Sequence, residues 1–143
     1  LYSDDSWTIV EDFAHHPTAV EGAIEALRAA YPDRKMTVCF EPRSNTAASA
    51  RFQTEFQTAL SGAERVYFGA VHRADRMRPE EQLDTVRMAN ALGEAKAFAD
   101  NQSLLEKLKI CVSDEAHGLI VFLTNGSFDG LPSSLAASCF NVR

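Results

Sequence analysis

The strongest constraint on the fold is a regular alternation of two kinds of segment along the chain. Short apolar segments, rich in β-branched and aromatic residues, favour strands, and they lie at residues 7–10, 36–40, 66–68, 95–98 and 119–123. Longer segments with apolar residues every three or four positions follow them and predict amphipathic helices. Strands that alternate with helices form a mainly parallel sheet covered on both faces. We therefore predict a Rossmann-like α/β fold with three layers, α/β/α.

Two of the predicted helices begin with a match to the capping-box pattern, in which a Ser or Thr precedes a Glu by three positions. The matches are Thr18-x-x-Glu21 and Ser103-x-x-Glu106. Pro17 offers an alternative start for the first helix, because proline is favoured at the first helical position. The start of that helix is therefore left open between these two neighbouring residues.

The third predicted helix begins at residues 79–81, Pro-Glu-Glu, whose acidic side chains suit the positive end of a helix dipole. Helical spacing then places Leu83, Val86 and Ala89 on the face that points to the sheet. A short last helix is predicted over about residues 133–139.

Length and composition predict one domain, residues 1–143, which is large enough to bury a core. Residues 1–6 are polar and are interpreted as the remnant of a linker or of an upstream hairpin. The strand at 7–10 is interpreted as one half of a hairpin whose other half lies upstream of residue 1. Fourteen Lys and Arg against twenty Asp and Glu give a net charge of −6, which would repel nucleic acid. No apolar run approaches the ~20 residues that span a bilayer, so no membrane is expected as a partner.

The three cysteines, Cys39, Cys111 and Cys139, predict free structural thiols. Their number is odd, no CxxC spacing occurs, and the first two lie within apolar segments. No basic cluster flanks them to favour a thiolate. The pattern indicates a reducing compartment, and we expect the protein to be cytoplasmic.

The unusual polar residues of the chain are concentrated in the segments that follow the predicted strands. These segments are residues 11–17, 41–46, 69–78 and 124–130. Ligands of open parallel sheets bind at the carboxyl ends of the strands. The four segments are therefore the candidate site.

The first segment, residues 11–17, combines acidic, aromatic and histidine side chains before a helix. Asp12, His15 and His16 carry metal-binding atoms, but adjacent histidines seldom converge on one ion, and we predict no metal site. A second interpretation has one histidine capping the helix while the rest are solvated. A third is a nucleotide site, in which Asp12 binds a ribose hydroxyl, Phe13 faces the base and His15 or His16 donates to a phosphate.

The second segment contains Arg43, Ser44 and Asn45. Arg43 is a candidate for anion binding, because its planar guanidinium can hold a phosphate or a carboxylate through two hydrogen bonds. The alternative is an ordinary surface arginine beside a capped helix.

The last two segments offer weaker candidates. His72 and Arg73 make the third segment locally cationic and suit the carboxylates of an acidic peptide, although a solvated loop explains them equally well. In the fourth, Asn125 and Gly126 either allow a ligand to approach the backbone closely or make a tight turn.

These motifs resemble those of a known family. Residues 11–17 are similar to the Asp-Asp-aromatic-Ala/Gly-His-x-Pro signature that opens the C-terminal domain of the Mur ligases, with Glu11 in place of the first Asp. The doublet His15-His16 is most similar to the one found in the branch of the family that acts on UDP-N-acetylmuramate. Residues 40–46 resemble the Phe-Glu-Pro-Arg-Ser-Asn-Thr stretch of the murein peptide ligases, and residues 124–130 resemble the family's Ser-Asn-Gly-x-Phe-x-Gly turn.

The resemblance implies an ATP-dependent ligase that joins an amine to a carboxylate through an acyl phosphate. The implied cofactors are ATP and Mg²⁺, held mainly by a central domain. The implied partners are the central and N-terminal domains of the same enzyme, UDP-N-acetylmuramate, and the murein tripeptide L-alanyl-γ-D-glutamyl-meso-diaminopimelate. In this chain the resemblance assigns Asp12, Phe13, His15 and His16 to the nucleotide. It assigns the remaining candidates to the substrate, namely Arg43, Ser44, Asn45, His72, Arg73, Asn125 and Gly126.

The sequence lacks the glycine-rich Walker A pattern that ends in Gly-Lys-Ser/Thr, so no catalytic residue is assigned and the chain alone is expected to be inert. Three alternatives stay open. The first is the same domain of a UDP-N-acetylmuramate–L-alanine ligase. The second is a non-enzymatic flavodoxin-like regulatory module, such as a phospho-receiver, although the strand at 66–68 ends without an acceptor acid. The third is a stand-alone nucleotide-binding domain, which the absence of a glycine-rich first turn disfavours.

Overall fold

The computed structural model describes residues 2–43, 50–71 and 78–140. Within them, six strands form one sheet: β1 (Tyr2–Ser3), β2 (Trp7–Asp12), β3 (Met36–Phe40), β4 (Arg65–Phe68), β5 (Glu94–Ala97) and β6 (Gly118–Leu123). Their order across the sheet is β1-β2-β6-β3-β4-β5. All neighbouring strands are parallel except β1 and β2. The predicted mainly parallel α/β fold is confirmed.

Helices cover both faces of this sheet. The α-helices of the described residues are α1 (Pro17–Ala30), α2 (Gln53–Leu60), α3 (Thr85–Ala91), α4 (Asn101–Asp114) and α5 (Leu131–Phe140). Single 3₁₀ turns occur at Ala50–Phe52, Pro79–Glu81 and Phe128–Gly130. Buried residues of α1, α2 and α3 pack on one face of the sheet, and those of α4 and α5 pack on the other. The three layers follow from this division.

The central strand β6 is apolar along its whole length because both of its faces are covered. Leu119, Val121 and Leu123 belong to the core beneath α1, α2 and α3. Ile120 and Phe122 belong to the core beneath α4 and α5. Alternate side chains of a strand point to opposite faces, so a strand between two helical layers needs no polar position.

The first strand of the sheet lies inside residues 1–6. Tyr2–Ser3 pairs antiparallel with β2, and Asp4 makes the turn, because its Oδ1 accepts hydrogen bonds from the N–H groups of Ser6 (2.7 Å) and Trp7 (2.6 Å). The other half of the hairpin is therefore Tyr2–Ser3, and the expectation that it lies upstream of residue 1 is wrong. A strand of two residues has too few positions to show alternation.

Both predicted capping boxes are wrong, because each helix begins earlier than its box. In α1 the N-cap is His16, which makes no side-chain capping bond among the described residues, and Pro17 takes the first helical position. In α4 the N-cap is Asp100, whose Oδ1 accepts from the N–H of Ser103 at 2.7 Å. Thr18 and Ser103 thus lie inside the first turn, where they cannot act as caps.

The third predicted helix also differs from the structure. Residues 79–81 form a separate 3₁₀ turn, and α3 begins only at Thr85, with Asp84 as a cap that accepts from the N–H of Arg87 at 2.9 Å. The shifted start turns Val86 outward, leaving it 61% exposed, whereas Met88 is buried in its place. Leu83 and Ala89 are buried as predicted.

The three cysteines are free, as predicted. Cys39 and Cys111 are buried, and Cys139 is partly buried. Burial raises the pKa of the Cys39 thiol strongly and that of Cys139 to a smaller extent. Both shifts favour the neutral thiol, which suits a packing role.

Two glycines test the packing of the fold in opposite directions. Gly118 lies beside Trp7 in the β2–β6 register, and a Cβ there would come within 2.7 Å of the indole ring. We expect Gly118→Ala to lower the free energy of unfolding by about 1–3 kcal/mol, because the added methyl group overpacks the core.

Gly22 is an exposed position of α1 with nothing within 4 Å of an added Cβ. Gly22→Ala should raise stability by about 0.5–1 kcal/mol, through helix propensity.

Urea unfolding of the two variants, each compared with the unaltered chain, measures both effects. Equal effects of the two substitutions would contradict the packing of Trp7 over Gly118.

Candidate functional site

The carboxyl ends of the parallel strands are level with one another. Asp12 of β2 pairs with Leu123 of β6, which pairs in turn with Phe40 of β3. Phe40 pairs with Phe68 of β4, and Phe68 pairs with Ala97 of β5. Because β6 lies between β2 and β3, their ends are two strand spacings apart, roughly 10 Å. The four candidate segments therefore leave the sheet along one edge, named here the carboxyl edge.

Asp12 is the first candidate at this edge, and it fixes the bend that follows β2. Its Oδ1 accepts a hydrogen bond from the N–H of Ala14 at 2.8 Å. Phe13 is consequently turned outward and is 68% exposed. The His15 ring lies edge-on to Phe13, with 5.3 Å between centroids. The His15 Nδ1 is 2.9 Å from the Phe13 carbonyl oxygen. A carbonyl oxygen can only accept, so Nδ1 is the donor of this hydrogen bond, and Nε2 takes no part in it.

His16 makes different contacts from His15. Its ring lies 5.2 Å from that of Phe52, in an edge-to-face arrangement beside α2. Its carbonyl oxygen accepts the first helical hydrogen bond of α1, from Val20 N–H at 2.9 Å. The two adjacent histidine rings therefore pack against different aromatic neighbours, Phe13 and Phe52.

An open cleft of about 340 Å³ lies between the bend after β2 and the first two turns of α1. Its lining residues are Asp12, Phe13, Ala14, His15, His16, Ala19 and Ala23. The first-turn N–H groups of a helix are not used within the helix, and its dipole is positive there. This cleft thus combines an exposed aromatic ring, a carboxylate and a helix N-terminus, which together suit a nucleotide.

Arg43 lies at the same edge, beyond the end of β3. The N–H of Glu41 donates to Leu123 at 3.0 Å, which prolongs the β3–β6 pairing by one residue. Arg43 follows Pro42 and is partly buried. Ser44 and Asn45 lie outside the described residues.

The segment after β6 lies between the previous two. Thr124 donates its backbone N–H to the carbonyl oxygen of Asp12 at 3.1 Å. The Gly126 N–H donates to the Thr124 hydroxyl at 2.9 Å, so it is used within the turn. A Cβ at Gly126 would overlap the side chain of Arg43, so the glycine allows the two segments to touch. Asn125 Oδ1 is buried without a hydrogen-bond partner among the described residues.

The segment after β4 is connected to this edge by Asn101, the first residue of α4. Asn101 Oδ1 accepts from the Ala70 N–H at 3.0 Å, and its Nδ2 donates to Asp129 Oδ2 at 2.7 Å. Asp129 has a positive φ of 52°, which is uncommon for a residue other than glycine. His72 and Arg73 lie outside the described residues, a short distance along the chain from Ala70.

The structure thus brings together Asp12, Phe13, His15, His16, Arg43, Asn125 and Gly126 at one edge. In the described part of the chain, no group of three or more His, Cys, Asp or Glu is arranged to hold a metal ion. Within the same residues, no helix has the length and apolar character of a membrane span.

Sequence reasoning gave no individual role to three residues that organise this edge, Glu41, Thr124 and Asn101. Glu41 carried a signal, because an acidic residue directly after a buried apolar strand requires a partner. Thr124 and Asn101 gave none, since threonine and asparagine are common at strand ends and helix starts.

Residues 1–127 match the family model described as Mur ligase, glutamate ligase domain. The UDP-N-acetylmuramate–L-alanine ligase of Lactococcus lactis is 29% identical over 119 residues, which are 83% of this chain and 26% of that protein. The chain therefore spans about a quarter of the length of this curated relative.

Solved structures share the fold. A domain described as part of a UDP-N-acetylmuramate:L-alanyl-γ-D-glutamyl-meso-diaminopimelate ligase of Haemophilus ducreyi has a TM-score of 0.70 and 25% identity, covering 94% of this chain and 92% of that one. A murein peptide ligase of Psychrobacter arcticus has a TM-score of 0.74 and 23% identity, covering 97% of this chain and 28% of that one.

The connection made by Asn101 gives a stability prediction. We expect Asn101→Ala to lower the free energy of unfolding by about 1–2 kcal/mol and to speed hydrogen exchange at the Ala70 amide, because that amide loses its acceptor. The control is Gln102→Ala, since Gln102 is exposed and contacts Glu106 on the surface. It should stay within about 0.5 kcal/mol of the unaltered chain. Unchanged Ala70 exchange in Asn101→Ala would rule out the connection.

Proposed function

This chain belongs to the Mur ligase family, and we propose that it is the C-terminal domain that positions nucleotide and amine substrate in an ATP-dependent, amide-forming ligase. The observation that carries the proposal is the level carboxyl edge, which brings the Asp12–His16 segment and Arg43 together beside Gly126. An edge of this kind can close against a central domain that holds the remaining parts of the reaction. We infer a cytoplasmic enzyme, as the three free cysteines favour.

The cleft at the start of α1 is proposed to take the nucleotide. Asp12 binds a ribose hydroxyl, and the exposed Phe13 ring faces the base. The N-terminus of α1, with His15 or His16, faces the phosphates. ATP, bound with Mg²⁺ mainly by the central domain, supplies the phosphoryl group that activates the carboxylate of UDP-N-acetylmuramate.

Arg43 is proposed to bind an anionic group, either a phosphate or a carboxylate of the incoming amine substrate. Ser44, Asn45, His72, Arg73 and Asn125 are proposed to complete the substrate contacts, with the Gly126 turn beside them. Correct placement of reactants lowers the barrier of a bimolecular step by up to ~7–11 kcal/mol in ideal cases. The chain contributes through this placement, and by itself it is proposed to be inactive.

The amine substrate is proposed to be L-alanyl-γ-D-glutamyl-meso-diaminopimelate. The resemblance of residues 40–46 to the murein peptide ligases supports this choice, and the structural neighbours include ligases described by that activity. L-Alanine is the second candidate, because the L. lactis relative is an L-alanine ligase.

We expect Asp12→Ala and Arg43→Ala each to depress kcat/KM of the full-length ligase. A charge-assisted hydrogen bond contributes about 1.5–3 kcal/mol, so the expected loss is roughly 10- to 150-fold per residue. ADP formation that depends on UDP-N-acetylmuramate and amine is the measurement.

Matched controls are Asp114→Ala and Arg87→Ala. Asp114 is exposed at the end of α4, just before β6 begins, and Arg87 is exposed on α3. Both control enzymes should keep the kcat/KM of the unaltered ligase. Full activity in Asp12→Ala and Arg43→Ala would remove these residues from the site.

The identity of the amine is tested separately. We expect kcat/KM of the full-length ligase for the tripeptide to exceed that for L-alanine, because the proposed contacts with Arg43 and Arg73 suit a substrate with several carboxylates. Rates are measured with each amine at saturating ATP and UDP-N-acetylmuramate. A preference for L-alanine would select the second candidate and leave the proposed reaction class unchanged.

A further inference from the structure

We propose that Thr124 and Glu41 are positioning residues that set the place of Arg43, so that two buried side chains control substrate affinity without touching a substrate. The inference rests on the proposed function, because it concerns the anion-binding role of Arg43. The anionic group is a phosphate or a carboxylate, and the kinetic experiment below distinguishes the two.

The two residues form a buried side-chain pair across the carboxyl edge. Glu41 is 3% exposed and Thr124 is 2% exposed. The Thr124 hydroxyl donates to Glu41 Oε1 at 2.5 Å. Removing a carboxyl group from water is costly unless a donor meets it, so this hydrogen bond holds both segments in one arrangement.

The backbone of the same residues connects three neighbouring strand ends. Thr124 N–H donates to the carbonyl oxygen of Asp12 at 3.1 Å, and Glu41 N–H donates to that of Leu123 at 3.0 Å. The Thr124 hydroxyl also accepts from the Gly126 N–H at 2.9 Å. A single hydroxyl group therefore fixes the start of the Asn125–Gly126 turn relative to β3.

This turn is in contact with Arg43. A Cβ built on Gly126 would overlap Cδ and Nε of Arg43. Arg43 follows Pro42, whose ring restricts φ and leaves the segment few alternative paths. The position of Gly126 therefore decides where the guanidinium can lie. Loss of the Thr124 hydroxyl would release the turn and, with it, Arg43.

Thr124 and Glu41 have buried side chains that a substrate cannot contact, whereas Arg43 is only partly buried. Any effect of the two residues on substrate binding therefore acts through Arg43. A substrate at the edge can reach the guanidinium but not the Thr124–Glu41 hydrogen bond. Their substitution should therefore change affinity for the substrate that Arg43 binds, with a smaller effect on kcat.

Thr124→Val in the full-length ligase removes the hydroxyl and keeps nearly the same side-chain shape. We expect KM to rise at least about tenfold for one substrate, the change that loss of one charge-assisted hydrogen bond produces. A rise for ATP assigns Arg43 to phosphate, and a rise for the amine assigns it to a carboxylate. Thr124→Ser keeps the hydroxyl and should restore the original KM.

The control is Thr37→Val. Thr37 is a buried threonine, 3% exposed, that accepts from Arg65 Nη1 at 3.3 Å. It lies near the amino end of β3, away from the carboxyl edge. Thr37→Val should destabilise the protein in the same manner as Thr124→Val, and leave both KM values unchanged.

A double-mutant cycle with Arg43→Ala decides between a positioning role and a general loss of stability. If Thr124 acts through Arg43, Thr124→Val has no further effect on KM once Arg43 is alanine. Effects of the two substitutions that multiply independently would overturn the proposal.

A second measurement does not depend on ligase activity. In the 143-residue chain, Thr124→Val should speed hydrogen exchange at the Gly126 amide at least about tenfold, whereas Thr124→Ser and Thr37→Val should not. Unchanged Gly126 exchange in Thr124→Val would overturn the positioning pair, whatever the enzyme does. A full-length protein without ligase activity would instead refute the proposed function, while the exchange result still tests the pair.

Discussion

The register of the central strand β6 is the constraint on which the rest of this structure depends. Parallel pairing of β6 with β2 and with β3 places Asp12, Leu123 and Phe40 on one line. A shift of one residue in either pairing would move the inward side chains of a strand to the opposite face. Both faces of β6 are apolar, so its register is set by the close packing of its alternate side chains against two different helical layers. The level carboxyl edge is a direct consequence.

The two edges of the sheet use charge in different ways. Near the amino end of β4, Arg65 is 4% exposed and forms ion pairs with Glu94 and Glu115, a network that joins β4, β5 and the segment after α4. That arginine is fully engaged in holding the fold together. At the carboxyl edge, Arg43 instead lies in a loop against a glycine and is partly accessible. The separation lets Arg65 stabilise the domain while Arg43 stays accessible for the anion-binding role proposed above.

Much of the fold could be predicted from residue patterns, and the predictions that are wrong have physical reasons. Residues 36–40 and 119–123 were predicted as strands because continuous apolar, β-prone runs seldom occur elsewhere. The predicted starts of α3 and α4 are wrong, and of the two starts left open for α1 the structure selects Pro17, because several nearby residues can cap a helix and tertiary packing selects among them. The prediction that Val86 faces the sheet is wrong for the same reason, since the exposed face of α3 depends on where that helix begins. The strand Tyr2–Ser3 is too short to carry a pattern.

The sequence by itself determined the order and type of the main elements, the layers and the family, because hydrophobic periodicity and short motifs are local properties of the chain. It also identified the segments that carry the unusual polar residues. Only the tertiary structure decided that Thr124 meets Glu41, that Gly126 lies against Arg43 and that Asn101 joins the Ala70 backbone to Asp129. Glu41 and Thr124 are separated by 83 positions, and no local pattern records which distant segments the strand order makes neighbours.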